Sequence, residues 1–187
     1  LATLTRDSFL IENNQQQLVE RDISISSASL DATSKGNYRH YMQKEIHEQP
    51  QALIDTLSNH LHNDSISNSC FGHHASELLP QMKRVHITAC GTSFHAGLVA
   101  KYWLEALAGV PCQVEIASEY RYRHSINEPQ TLFVSLSQSG ETADTLAALR
   151  KAKQQPNCVT LAICNVAHSS LVREADLAFI TQAGTEI

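Results

Sequence analysis

The second half of the chain alternates short apolar runs with amphipathic stretches. Apolar runs of five to seven residues occupy 84–90, 112–117, 131–137, 158–164 and 177–181. The stretches between them show the three-to-four-residue apolar spacing of helices, at 93–109, 118–123, 140–155 and 169–175. Near-continuous apolar strands alternating with helices are typical of a parallel sheet that is covered on both faces. We therefore predict an α/β fold, a three-layer sandwich with a mostly parallel sheet of about five strands flanked by helices.

A helical lead-in precedes this alternation. Apolar side chains recur at helical spacing from Tyr38 onward. Pro50 is expected to end a first helix and to restart a second one that runs to Leu61, because proline lacks the ladder N–H. The following stretch, NDSISNSCFGHH (63–74), is polar and is expected to be a loop.

The N-terminal segment has a different character. Two β-like runs, 1–11 and 16–25, are separated by polar residues and followed by the linker-like SSASLDATSKG. Two short strands cannot form a core alone. We expect residues 1–35 to be the tail of a preceding domain with its linker, and residues 36–187 to form the main domain.

Composition and charge narrow the classes of function. Hydrophobic residues make up 42% and charged residues 18% of the chain, as in globular proteins. The net charge of −5 argues against nucleic-acid and membrane-surface partners, so a bound anion must be held by amides and hydroxyls. No apolar run approaches the ~18 residues of a bilayer span, and no signal-peptide pattern is present. Five irregularly spaced cysteines indicate reduced thiols and a cytoplasmic location. The leading Leu1 suggests a piece of a longer chain.

Two strand-to-helix turns carry candidate chemistry, ACGTSFHAG (89–97) and SLSQSGETAD (135–144). A turn entering a helix leaves backbone N–H groups unpaired at the positive end of the helix dipole, an arrangement that suits phosphate. Hydroxyl donors are available in both turns, and Gly140 allows close backbone approach. These donors are Thr92, Ser93, Ser137, Ser139 and Thr142.

Glu141 and Asp144 would repel an anion, so their carboxylates must point away. A serine before a helix is also an ordinary N-cap, and that alternative remains open. Nucleotide-binding loops are excluded because neither G-x-x-x-x-G-K-[ST] nor G-x-G-x-x-G occurs.

A family resemblance is carried by these turns together with three further segments: YRHYMQKEIHEQP, ASEYRYR and AICNVAHSSLVREADLAFITQAGTEI. Residues 36–187 resemble the first sugar isomerase (SIS) domain of the isomerising glutamine–fructose-6-phosphate aminotransferases, truncated at its C-terminal end. Residues 1–35 resemble the tail of the glutaminase domain of that family with the interdomain linker. The resemblance implies an SIS-type fold that binds fructose 6-phosphate or glucosamine 6-phosphate. It places Thr92 and Ser93 on the sugar phosphate, and Gly91 and Gly140 as supporting backbone. The residues that it places around the phosphate group are Ser137, Gln138, Ser139 and Thr142.

The same resemblance implies groups that this sequence does not contain. In the family, acid–base residues come from a second SIS domain, and ammonia comes from a glutaminase domain. We therefore expect the chain to be inert alone, to work with those two domains, and to form a homodimer in which Trp103 contributes. No metal or organic cofactor is required. Two alternatives are an SIS-domain sugar-phosphate sensor that regulates an attached module and a stand-alone phosphosugar isomerase.

Three other groups of residues invite a functional interpretation. Cys70, His73 and His74 could ligate a metal, but no second ligand pair has matching spacing, so exposed loop histidines are the simpler interpretation. Cys90 could be a nucleophile or a buried structural thiol. Arg121, Tyr122 and Arg123 could clamp a phosphate, contribute to an interface or form salt bridges.

Overall fold

The computed structural model describes residues 1–22, 34–58, 60–126 and 128–184. It divides into two compact units, 1–34 and 35–187. Within the described residues, short 3-10 turns lie at Asn68–Phe71 and Leu79–Gln81. The strands and helices are, in chain order, β1 (Ala2–Leu4), β2 (Phe9–Ile11), α1 (Tyr41–Ser58), β3 (Leu61–His62), β4 (Ser65–Ile66), α2 (Ala75–Leu78), β5 (Arg84–Ala89), α3 (Gly91–Ala108), β6 (Cys112–Ile116), α4 (Ala117–Tyr120), β7 (Thr131–Ser137), α5 (Ala143–Lys153), β8 (Cys158–Cys164), α6 (Ser170–Glu174) and β9 (Leu177–Ile180).

The second unit is built on one five-stranded parallel sheet. Its strand order is β6-β5-β7-β8-β9, and every adjacent pair is parallel. Each strand falls inside the apolar run that predicts it, which confirms the α/β prediction. The runs are nearly continuous because both faces of these strands are covered.

Helices cover the two faces of the sheet and complete the three layers. Val85 and Ile87 pack on one face in a core with residues from α2 and α3. Phe133, on the other face, packs against α4 and α5. Gly97 brings α3 close to the sheet, since a Cβ there would lie 3.1 Å from a methyl carbon of Ile87. The strand ends are therefore held at fixed positions relative to the helices that follow them.

The chain reverses direction across the sheet at β5. It leaves β5 for β6 on one side and then crosses to β7 on the other. In open parallel sheets, such a switch point leaves a crevice at the carboxyl ends of the two strands from which the connections diverge. The two turns singled out in the sequence follow β5 and β7, and so border this crevice.

Four local predictions in this unit were wrong. Helix α1 runs through Pro50 instead of restarting there, because proline removes only one ladder hydrogen bond. Part of the expected polar loop at 63–74 forms regular secondary structure. Strands β3 and β4 form a hairpin whose turn residues Asn63 and Asp64 have φ of 51° and 58°, a type I′ geometry. Helix α5 begins at Ala143, three residues later than expected, and α3 begins at Gly91, two residues earlier.

The first unit contains a hairpin. The run at 1–11, expected as one strand, folds into β1 and β2 in antiparallel pairing. Of the second expected strand, residues 16–22 contribute a single bridge between Leu18 and Glu12, and residues 23–25 lie outside the described residues. The interpretation of residues 1–35 as the tail of a preceding domain stays a prediction.

Candidate functional site

A cleft of about 200 Å³ lies at the carboxyl ends of β5 and β7. It gathers all six residues assigned to substrate binding, together with Gly91, although they come from two turns more than 40 residues apart in sequence. The lining residues are Cys90, Gly91, Thr92, Ser93, Leu136, Ser137, Gln138, Ser139, Thr142 and Thr145. None of these carries a positive charge, so the cleft can hold an anion only through N–H groups and hydroxyls.

The turn after β5 presents the N-terminus of a long helix. Cys90 is extended and Gly91 has a φ of 55°, which turns the chain directly into α3. Thr92 and Ser93 therefore lie in the first helical turn, where backbone N–H groups have no partner within the helix. Both residues line the same cleft as the turn after β7.

The turn after β7 orients its own hydroxyls. Ser137 Oγ accepts a hydrogen bond from the Gly140 N–H at 2.9 Å, and Ser139 Oγ accepts one from the Glu141 N–H at 3.3 Å. A hydroxyl oxygen that accepts in this way still has its own proton to donate. The residue at the N-cap of α5 is Thr142, whose side chain makes no capping hydrogen bond. The Ser137 and Ser139 hydroxyls thus accept amides within the turn, and Thr142 does not cap α5, so the hydroxyl protons of all three remain available to a ligand.

Gly140 lies directly behind the cleft and is required for the shape of this turn. Its φ is 67°, in the left-handed region. A Cβ at this position would lie 2.2 Å from Ser169 Oγ and 2.8 Å from Cys164 Sγ, both on buried side chains. Only glycine lets the turn rest against that surface.

The two acidic residues of this turn point away from the cleft, as the sequence analysis required. Glu141 Oε1 accepts a hydrogen bond from the Ser170 N–H at 2.7 Å. The Ser170 N–H and hydroxyl hold the pKa of the Glu141 carboxyl below its ordinary value. Asp144 forms an ion pair with Arg121 at 2.6 Å. That pair assigns Arg121 to the salt-bridge alternative, and both carboxylates are satisfied outside the cleft.

The family resemblance does not place Ser135 or Thr145 among the binding residues; both side chains are buried, but only Thr145 borders the cleft. Ser135 is fully buried within the sheet. Thr145 lines the cleft, and its hydroxyl contacts Cys90 Sγ at 3.9 Å. The helical spacing of three between Thr142 and Thr145 could have revealed this, because residues three apart share a helix face.

The cysteine and histidine candidates find little support. Cys90 borders the cleft, but the lining includes no histidine or other base that could form its thiolate. Over the ranges that the structure describes, no three His, Cys, Asp or Glu side chains are arranged to hold a metal ion. His74 pairs with Glu77 at 3.8 Å, and burial raises the pKa of the Cys70 thiol.

Among the described helices, none combines the length and apolarity needed to cross a bilayer.

Comparisons with known proteins identify the family to which this chain belongs. The chain is 54% identical over its whole length to glutamine–fructose-6-phosphate aminotransferase (isomerizing) of Vibrio cholerae and covers 31% of that protein. It thus spans about a third of the length of the curated relatives that it matches. The solved C-terminal domain of the Francisella tularensis glucosamine–fructose-6-phosphate aminotransferase is 55% identical, with a TM-score of 0.78 over 82% of this chain and 43% of that one.

More distant structures share the fold. Tagatose-6-phosphate ketose/aldose isomerase of Escherichia coli is 24% identical, with a TM-score of 0.63 over 78% of this chain and 41% of that one. The model of the SIS domain matches residues 78–187, which include both turns of the cleft. These findings confirm the resemblance seen in the sequence, and the chain belongs to the SIS domain family.

Proposed function

We propose that the cleft binds the phosphate group of a hexose phosphate, and that the chain is the phosphosugar-binding part of an isomerising glutamine–fructose-6-phosphate aminotransferase. That enzyme converts fructose 6-phosphate and glutamine to glucosamine 6-phosphate. The observation that carries the proposal is the convergence of two helix entrances and two oriented hydroxyls, those of Ser137 and Ser139, on one uncharged cleft. The names of the relatives at 54–55% identity support the choice of sugar phosphate.

The cleft is suited to hold a substrate but not to transform it. Isomerisation moves a proton between adjacent carbons and needs a positioned acid–base group. The only ionisable side chain in the lining is that of Cys90. We therefore assign to this chain the anchoring of the phosphate, which fixes the sugar for reaction. Acid–base groups from a second SIS domain and ammonia from a glutaminase domain complete the proposed enzyme, which works in the cytoplasm without a metal or organic cofactor. The chain alone is inert.

Removing two hydroxyls tests the anchor. We expect Ser137→Ala combined with Ser139→Ala to weaken glucosamine 6-phosphate binding about 100-fold, because each hydrogen bond to a charged group contributes about 1.5 kcal/mol or more. The dissociation constant is measured from amide chemical shifts during a titration of the 187-residue chain. Thermal melting of the same variants shows whether the turn still folds.

Ser65→Ala is the matched control, since it deletes an exposed serine hydroxyl from β4, outside the cleft. This control is expected to bind as the original chain does. An unchanged dissociation constant in the double variant would show that the assigned anchor is wrong. Absence of binding in the original chain would overturn the proposed function itself.

We also propose that the chain pairs with a second copy through the outer face of α3. Tyr102, Trp103 and Leu107 are 72%, 64% and 83% exposed there, an apolar surface of the kind that marks interfaces. We expect Trp103→Ser to weaken the dimer about 30-fold, because buried tryptophans at interfaces contribute about 2 kcal/mol or more. Sedimentation velocity over a concentration series measures this. Tyr122→Ser, at a similarly exposed aromatic residue outside α3, is the control, and a chain that stays monomeric throughout contradicts the proposal.

A further inference from the structure

The turn after β7 rests on a second stretch of chain, residues 164–171, here called the support segment. Two backbone carbonyls of the turn accept hydrogen bonds from it. The Gln138 carbonyl accepts from the Asn165 N–H at 3.3 Å and from the Cys164 thiol at 3.4 Å. The Gly140 carbonyl accepts from the Leu171 N–H at 3.1 Å. The position of the cleft hydroxyls therefore depends on residues that do not line the cleft.

Glu141 contributes a side-chain link between the turn and this segment. Its carboxylate accepts the Ser170 N–H at 2.7 Å, and Ser170 is the first residue of α6. Ser169, the N-cap of the same helix, accepts the Val172 N–H with its hydroxyl. Two backbone N–H groups at the start of α6 have no acceptor within the helix. The Val172 N–H is accepted by Ser169 of the support segment, and the Ser170 N–H is accepted by Glu141 of the turn.

The link does not serve the ligand directly. Glu141 is absent from the lining of the cleft, and its negative charge would repel a phosphate. A carboxylate so close to an anion site is unfavourable for binding unless its hydrogen bond outweighs the repulsion. The structure provides such a hydrogen bond, because Glu141 Oε1 accepts the Ser170 N–H and so joins the turn to the start of α6.

We propose that Glu141 is a positioning residue, which holds the Ser137–Gly140 turn against the support segment in the geometry that presents its hydroxyls to the phosphate. This role rests on the proposed function. The positioning role predicts that losing the hydrogen-bond acceptor at position 141 weakens phosphate binding, whereas losing only the negative charge there does not.

Two substitutions at this position separate the acceptor from the charge. Glu141→Gln keeps an amide carbonyl that can accept the Ser170 N–H, whereas Glu141→Ala removes it. We expect Glu141→Ala to weaken binding of glucosamine 6-phosphate and of inorganic phosphate about 10-fold. Glu141→Gln is expected to bind both as tightly as the original chain or more tightly, because it removes the repulsion.

Hydrogen exchange in the ligand-free chain adds a measurement that does not depend on binding. The Gly140 and Leu171 amides donate hydrogen bonds in the turn and across to it. We expect both to exchange faster in Glu141→Ala and at the original rate in Glu141→Gln. Asp144→Ala is the control for charge: it removes a nearby carboxylate that pairs with Arg121 and not with the support segment. It should bind at least as tightly as the original chain.

The outcomes distinguish the two proposals. Equal binding by Glu141→Ala and Glu141→Gln, or unchanged exchange in Glu141→Ala, overturns the positioning role and leaves the proposed function intact. Weaker binding in Glu141→Gln as well would assign the effect to charge and also overturn it. If the original chain binds neither ligand, the proposed function fails and the positioning role fails with it.

Discussion

Replacing Gly140 with alanine is expected to destabilise the domain by about 3 kcal/mol and to weaken phosphosugar binding at least about 10-fold. An alanine at the observed φ of 67° costs roughly 1–2 kcal/mol. The added methyl group would also lie 2.2 Å from Ser169 Oγ and 2.5 Å from Ser169 Cβ, and overpacking a full site costs about 1–3 kcal/mol. Because the turn must move to relieve this contact, its hydroxyls leave their positions in the cleft. Urea denaturation and a glucosamine 6-phosphate titration measure the two effects.

Gly109 offers a matched control for this substitution. It caps the end of α3 with a φ of 63°, nearly that of Gly140, but a Cβ there would meet nothing within 4 Å. Gly109→Ala should therefore cost only the conformational part, roughly 1–2 kcal/mol, and should leave binding unchanged. If Gly140→Ala is no less stable than Gly109→Ala, the contact with Ser169 does not constrain the turn.

The sequence was sufficient to predict the sheet and the cleft because both follow from local patterns. Strands covered on two faces are read as unbroken apolar runs, and helices that follow them begin at recognisable turns. The carboxyl ends of parallel strands lie at one edge, so residues near Ser93 and Ser139 had to approach each other. Electrostatics also predicted that Glu141 and Asp144 would turn away from an anion, which their hydrogen bonds to Ser170 and Arg121 confirm.

The contacts behind the cleft could not be predicted in this way. The partner of Glu141 lies 29 residues further along the chain, and no local spacing relates the two. The clash expected at Gly140 likewise depends on how closely β7 and the support segment pack. One local signal was also overlooked. The Asn63-Asp64 pair is typical of a hairpin turn, but the two-residue strands beside it contain too few apolar residues to be recognised as strands. Tertiary packing, rather than propensity, decides such positions.

Truncating Phe133 is expected to destabilise the domain more than any other substitution considered, by about 3–5 kcal/mol for Phe133→Ala. Its ring is 1% exposed and lies 5.0 Å from the ring of Tyr120, measured between centroids. Ala148 and Ala152 of α5 pack against it. The ring also borders an open pocket of about 190 Å³ at the amino ends of the strands, and the alanine side chains beside it are too small to fill the space that its removal leaves.

The same substitution separates the stability of the domain from the geometry of its site. The cleft lies at the opposite edge of the sheet, where the support segment holds the turn, so Phe133→Ala should still bind glucosamine 6-phosphate with unchanged affinity under conditions in which it is folded. Phe133→Leu, which keeps most of the volume, should lose only about 1.5 kcal/mol. Urea denaturation and the same titration measure both quantities for each variant. Weaker binding by folded Phe133→Ala would show that the packing of α5 on the sheet, and not the support segment alone, sets the position of the anion-binding turn.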